Sequence, residues 1–170
     1  MAKKYGVVRT DNMAGTDVHS ELVSVKYMGD NKTTPTEIEN GCVLKASELI
    51  EGEREIFVGE KPAKNTPLGD IVLVASPEVP YDERVRNLDE YINEAGKALR
   101  GYRLKSGQIF SVTKEDLDGL GTPAKGNIVE LQAGIKLNVV ASPTEETTQV
   151  GKIIAVEKTS RYTYYVIKID

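Results

Sequence analysis

The chain has no tryptophan, one histidine, one cysteine and two phenylalanines in 170 residues. Each scarcity excludes something. With a single cysteine, Cys42, no internal disulfide can form. A chain without disulfides suits assembly in a reducing cytoplasm. One histidine and one cysteine cannot supply a Cys/His zinc cluster. A histidine-based triad would have to use His19, in a polar stretch with no G-x-S-x-G elbow anywhere in the chain. The lack of tryptophan removes the usual stacking platform of a sugar site, so the alternating Glu51, Glu53 and Glu55 read as a solvated face, not a glycosidase pair. No apolar run approaches the roughly 20 residues of a spanning helix. The start, MAKKYGVVRTDN, has no apolar core and does not read as a secretion signal. A formal charge of −4 gives no basic footprint for nucleic acid and no attraction to anionic membranes.

What is present is β-like. The core must be built from Val, Ile and Leu. Eight tyrosines against two phenylalanines favour half-wet surfaces and interfaces. Period-two or short apolar runs predict strands over 21–28, 41–44, 54–58, 70–75, 102–104, 109–113, 128–132, 135–141, 152–158 and 162–169. The last two form a hairpin closed at Thr159-Ser160-Arg161. Lys105-Ser106-Gly107 is a tight turn between two strands, and SPEVP over 76–80 breaks the sheet. One helical pattern occurs, over 82–99, with Val85, Leu88 and Tyr91/Ile92 at helical spacing and Asp82 and Glu83 near its start. Asn93 and Gly96 predict that it is short or irregular. The expected fold is mainly β: a small β-barrel or sandwich over 21–170, with one short helix and an extended N-terminal arm over 1–20.

Little in the chain carries reaction chemistry. Asp116-x-Asp118-Gly119 imitates the start of a calcium loop, but the twelfth position is Asn127, where a glutamate is required. It reads as a polar turn. Gly119, Gly121 and Gly126 read as a flexible contact loop, with no phosphate-binding motif. Cys42, beside Val43 and Leu44, reads as a small buried hydrophobe. No catalytic residue, metal ligand or cofactor is assigned, and the chain is not expected to be an enzyme.

Two segments read as contact surfaces. In the arm, Lys4, Tyr5, Val7, Val8 and Arg9 form an extended stretch with apolar pegs, able to add a strand to an exposed sheet edge. That edge could belong to a neighbouring subunit or to the chain's own domain. In YTYYVIKI, Tyr162 and Tyr164 share one face, with Tyr165, Ile167 and Ile169 on the other. One face must be core, which leaves the Tyr162/Tyr164 face either for a partner or for a cross-strand ladder.

The segments REIFVGEKPAKNTPLGDIVLVASPEVPYDE, NEAGKALRGYRLKSGQIFSVTKEDLDG, GNIVEL and GKIIAVEKTSRYTYYVIKI together resemble head decoration (auxiliary capsid, cement) proteins of tailed bacteriophages. The likeness runs from about Arg54 to Asp170 and is one of overall pattern, without a signature residue. It implies a virion structural protein, made in the host cytoplasm, that binds the major capsid protein on the outer capsid surface and stabilises the assembled head. It also implies a homo-oligomer, a trimer in several related kinds, with an arm ordered against the shell. The other readings are a head-fibre base or tail component of the same architecture, and a carbohydrate-binding β module using the tyrosine face.

Overall fold

The structure is a computed structural model that describes residues 5–9, 21–29, 32–79 and 87–170. It is mainly β, a barrel-like sandwich of two curled sheets. Eleven strands follow in order: β1 (Leu22–Tyr27), β2 (Val43–Lys45), β3 (Ile56–Gly59), β4 (Ile71–Val74), β5 (Leu99–Arg103), β6 (Ile109–Val112), β7 (Leu117–Gly119), β8 (Ile128–Glu130), β9 (Leu137–Val140), β10 (Gln149–Lys158) and β11 (Thr163–Ile169).

The first sheet has the order β2-β4-β5-β1-β3. It curls until its two edges meet, where Lys45 and Glu60 exchange backbone hydrogen bonds of 2.8 and 3.0 Å. Its inside is filled by Val25, Tyr27, Leu44, Val72, Val74 and Leu99, with Cys42 buried among them. The second sheet has the order β6-β11-β10-β8-β9-β7. Only residues 113–116 join its two outermost strands, β6 and β7, so this sheet must curl as well. The larger core lies between the sheets, with Val43, Ile71 and Leu73 of the first against Phe110, Val129, Leu137, Ile153 and Ile167 of the second. Strand β4 (IVLV) therefore buries both faces, Ile71 and Leu73 toward one core and Val72 and Val74 toward the other. An unbroken apolar run is what such a strand requires.

Two expectations need correction. The described part of the helical segment, 87–99, holds one 3-10 turn at Leu88–Glu90. It then extends, with Asn93 bridging to Ile38 and β5 starting at Leu99, three residues earlier than expected. Backbone pairing available across the sheet outweighs a helical spacing interrupted by Asn93 and Gly96. The Lys105–Gly107 turn does stand between two strands, β5 and β6, and because these belong to different sheets it is the crossover between them. Residues 117–119, expected as part of a flexible loop, are strand β7, paired parallel with β9.

Candidate functional site

The hairpin β10–β11 is longer than its surroundings. Strand β8 pairs with β10 only as far as Lys152, and β6 pairs with β11 only from Tyr165 onward. Beyond those points, from Ala155 to Lys158 and back through Thr163 and Tyr164, the two strands pair only with each other among the described residues. A bulge at Ile153/Ala155 marks the departure, and bulges bend and twist a strand. The tip, closed by Thr159 Oγ1 accepting the Tyr162 N–H at 2.9 Å, is a projecting two-stranded ribbon.

The arm lies beside this ribbon. Val8 bridges antiparallel to Val112 of β6. The Arg9 N–H donates to Ser111 O at 3.0 Å, and the Thr113 N–H donates to Val7 O at 3.0 Å. Residues 5–9 thus extend the chain's own second sheet by a short strand. Val7 and Val8 are each 1% exposed, and Val8 belongs to the larger core. Burial of this kind is worth about 1.5–3 kcal/mol per valine. Of the two edges open to the arm in the sequence, the structure shows the chain's own. Lys4 and His19 lie outside the described residues.

The other sequence-predicted contact residues come together. Strand β11 turns Tyr165, Ile167 and Ile169 into the larger core. Tyr164 faces the other way yet is itself buried, 5% exposed. Of the two tyrosines expected to meet a partner, only the half-buried Tyr162, just before the strand, is open to solvent. The Arg9 guanidinium lies 5.3 Å from the Tyr164 ring centroid, and its Nη1 is 2.8 Å from Glu157 Oε2. The Tyr164 and Tyr162 rings are 5.9 Å apart and tilted by 57°. Arg161 covers the Tyr162 ring at 5.3 Å. The result is an Arg9–Tyr164–Tyr162–Arg161 stack running from arm to hairpin tip.

One residue absent from the sequence reading fastens it. Asp89 Oδ1 accepts from Tyr162 OH at 3.1 Å and from Arg161 Nη2 at 3.2 Å. Its backbone carbonyl accepts the Tyr5 N–H at 3.1 Å. Burial, and then the Asp89 carboxylate, push the Tyr162 hydroxyl above the ordinary tyrosine pKa, so it stays a donor. Each cation–π contact at such a site is worth about 0.5–1 kcal/mol. The stack therefore orients side chains more than it stabilises the fold. A cleft of about 230 Å³ opens beneath it, walled by Tyr5, Asp89, Lys114, Arg161 and Tyr162. Nothing in the sequence linked Asp89 to Tyr162, because the two are 73 positions apart.

A second, wider groove of about 900 Å³ lies on the first sheet, between Leu22 and Val23 of β1 and the segments at 76–79 and 90–98. Ser76, Tyr91 and Asn93 of its lining join a buried network with Asn40 behind them. Asn93 Nδ2 donates to Asn40 Oδ1 at 3.0 Å, the Ser76 N–H donates to the same oxygen at 3.0 Å, and Tyr91 OH lies 3.4 Å from Asn93 Oδ1.

Among the described residues, no group of three or more His, Cys, Asp or Glu side chains is placed to hold a metal ion. Burial, and then the nearby Asp116 and Glu39 carboxyls, hold the Cys42 thiol well above its ordinary pKa, which suppresses the nucleophilic thiolate. Compared with protein families, curated proteins and solved structures, the chain matches none of them.

Proposed function

We propose that this chain is a virion structural protein that seats on the outer surface of a phage head and helps hold the assembled shell together. The major capsid protein is its partner in this reading, and the arginine–tyrosine stack is the contact. The observation that carries it is the β10–β11 ribbon, whose tip presents Arg161 and the half-buried Tyr162, backed by the buried Tyr164 and by Arg9. Arginine and tyrosine are the side chains most enriched where interfaces concentrate their binding energy. Here they are held by Asp89 and Glu157 before any partner arrives, which lowers the ordering cost of association. The pattern resemblance over 54–170 gives the partner class. Repetition over a shell would let modest single contacts act collectively. The same surface would serve a head-fibre base or tail component.

Co-sedimentation of the purified protein with undecorated, expanded heads tests this reading. Saturable binding at a fixed ratio per capsomer is expected, reduced at least tenfold by Arg161→Ala combined with Tyr162→Ala in a folded protein. Absence of binding by the folded wild type would refute it. The groove beside Tyr91 favours a second reading, a carbohydrate-binding module, because an aromatic wall over fixed amides suits sugar hydroxyls. Binding to an array of soluble glycans, abolished by Tyr91→Ala and untouched by the Arg161/Tyr162 pair, would establish that reading instead.

A further inference from the structure

Asp116 takes no part in either surface. It lies at the end of the 3-10 turn Lys114–Asp116 and is fully buried. Its Oδ1 has no hydrogen-bond partner among the described residues. Its Oδ2 is 3.5 Å from Thr113 Oγ1, which accepts the Val7 N–H of the arm at 3.2 Å. Backbone presses on the carboxyl from two sides, at Gly6 and at Gly41. A Cβ on either glycine would fall inside the carboxyl group. Gly6 is an arm residue, so the arm cannot lie where it does unless the carboxyl fits beneath it.

The surrounding charges do not neutralise this group. Glu39 accepts the Gly6 N–H at 2.7 Å through Oε2 and pairs with Lys136 Nζ at 3.0 Å through Oε1. Glu115 on the same turn adds negative charge, Asp118 of β7 lies nearby, and the Cys42 thiol faces it without charge of its own. Lys136, the cation that acts on Asp116, is already engaged by Glu39. Two carboxyls thus share one lysine at the place where the arm enters the fold. A buried carboxylate without a counter-ion is strongly disfavoured.

We propose that Asp116 is a proton-operated latch on the N-terminal arm: with the proton in place the carboxyl lets Gly6 and Val7 seat against it, and loss of that proton to solvent drives residues 5–9 off the second sheet. Burial, and then the Glu39 carboxylate, hold Asp116 well above the usual carboxylate range while the arm is docked. An undocked arm exposes the group and returns it toward its ordinary value of 3.8. The docked state therefore holds one proton that the undocked state releases. Docking weakens about tenfold per pH unit as pH rises from the ordinary value toward the raised one, and is level above it. The latch concerns this chain alone and stands whether or not the capsid reading does.

Amide hydrogen exchange of the full chain, followed by NMR upward from about pH 4 until the profile levels off and corrected for intrinsic exchange rates, tests the latch. Protection at the Arg9 and Thr113 amides, which make the arm's sheet bonds, is expected to fall about tenfold for each pH unit. Protection at Ile167, inside the sheet, is expected to hold. Asp116→Asn should make the arm amides independent of pH. A flat profile in the wild type, an undiminished fall in the variant, or a parallel fall at Ile167 would overturn the proposal. Should Asp116→Asn fail to fold by circular dichroism, Glu39→Gln decides, since it removes the like charge and keeps an acceptor for Gly6. Levelling-off at a lower pH than in the wild type is then expected, and an unchanged profile overturns the latch.

Discussion

At Gly151 the hairpin β10–β11 leaves no room for a side chain, because a Cβ there would collide with the backbone carbonyl of Lys168. Nothing flexible can yield, so Gly151→Ala should cost about 2 kcal/mol or more, the range for forcing an atom into packed structure. Gly69 meets no atom within 4 Å of its added Cβ and has an ordinary backbone conformation, so Gly69→Ala should stay within about 0.5 kcal/mol of wild type. Urea midpoints of the two variants check both statements. At this scale the sequence was legible where a period of two governs. Tyr165, Ile167 and Ile169 share the core face because alternation in a strand permits no other arrangement. Asp116 was not legible. Asp-x-Asp-Gly reads as a solvated turn by every composition rule, and only the fold shows the first aspartate fully enclosed and pressed by two glycines from distant parts of the chain. Asp89 was hidden for the same reason, since its partners at 161 and 162 are brought to it by tertiary structure.

The arm, as an element, is held by two valines and a few sheet bonds. Val8→Ala removes two methyl groups from a closed core and should destabilise the protein by about 2 kcal/mol, combining transfer and cavity costs. A lower urea midpoint with an unchanged slope would confirm that the loss is one of packing. Strands rich in β-branched residues, such as 71–74 and 163–169, could be read directly. Strand β7 could not, because Leu-Asp-Gly has no intrinsic strand preference. Its pairing with β9 is supplied by the closing of the sheet. The segment 87–99 misled in the opposite direction. Spacing alone cannot weigh Asn93, which is committed to Ile38 and Asn40 across the first sheet.

On the scale of the molecule, the two cores share β2 and β4 of the first sheet, whose residues feed both. Neither core can lose these strands and remain intact. Urea unfolding should therefore be a single transition, with tyrosine fluorescence and far-UV circular dichroism coinciding. Separated midpoints would show that the sheets unfold independently. The sequence made the β class and the abundance of short strands plain. Their division into two sheets was not plain, because a tight turn such as Lys105–Gly107 looks alike whether it closes a hairpin or passes between layers.

The position of residues 5–9 bears on the order of synthesis. They are translated well ahead of their partners Ser111, Thr113, Glu157 and Tyr164. The first described segment to be made is thus among the last able to dock, and Val7 and Val8 stay exposed while some 150 further residues are translated. A nascent chain of this kind carries two unpartnered valines until β6 and the β10–β11 hairpin have been made. Its yield should then depend on how quickly the final hairpin follows.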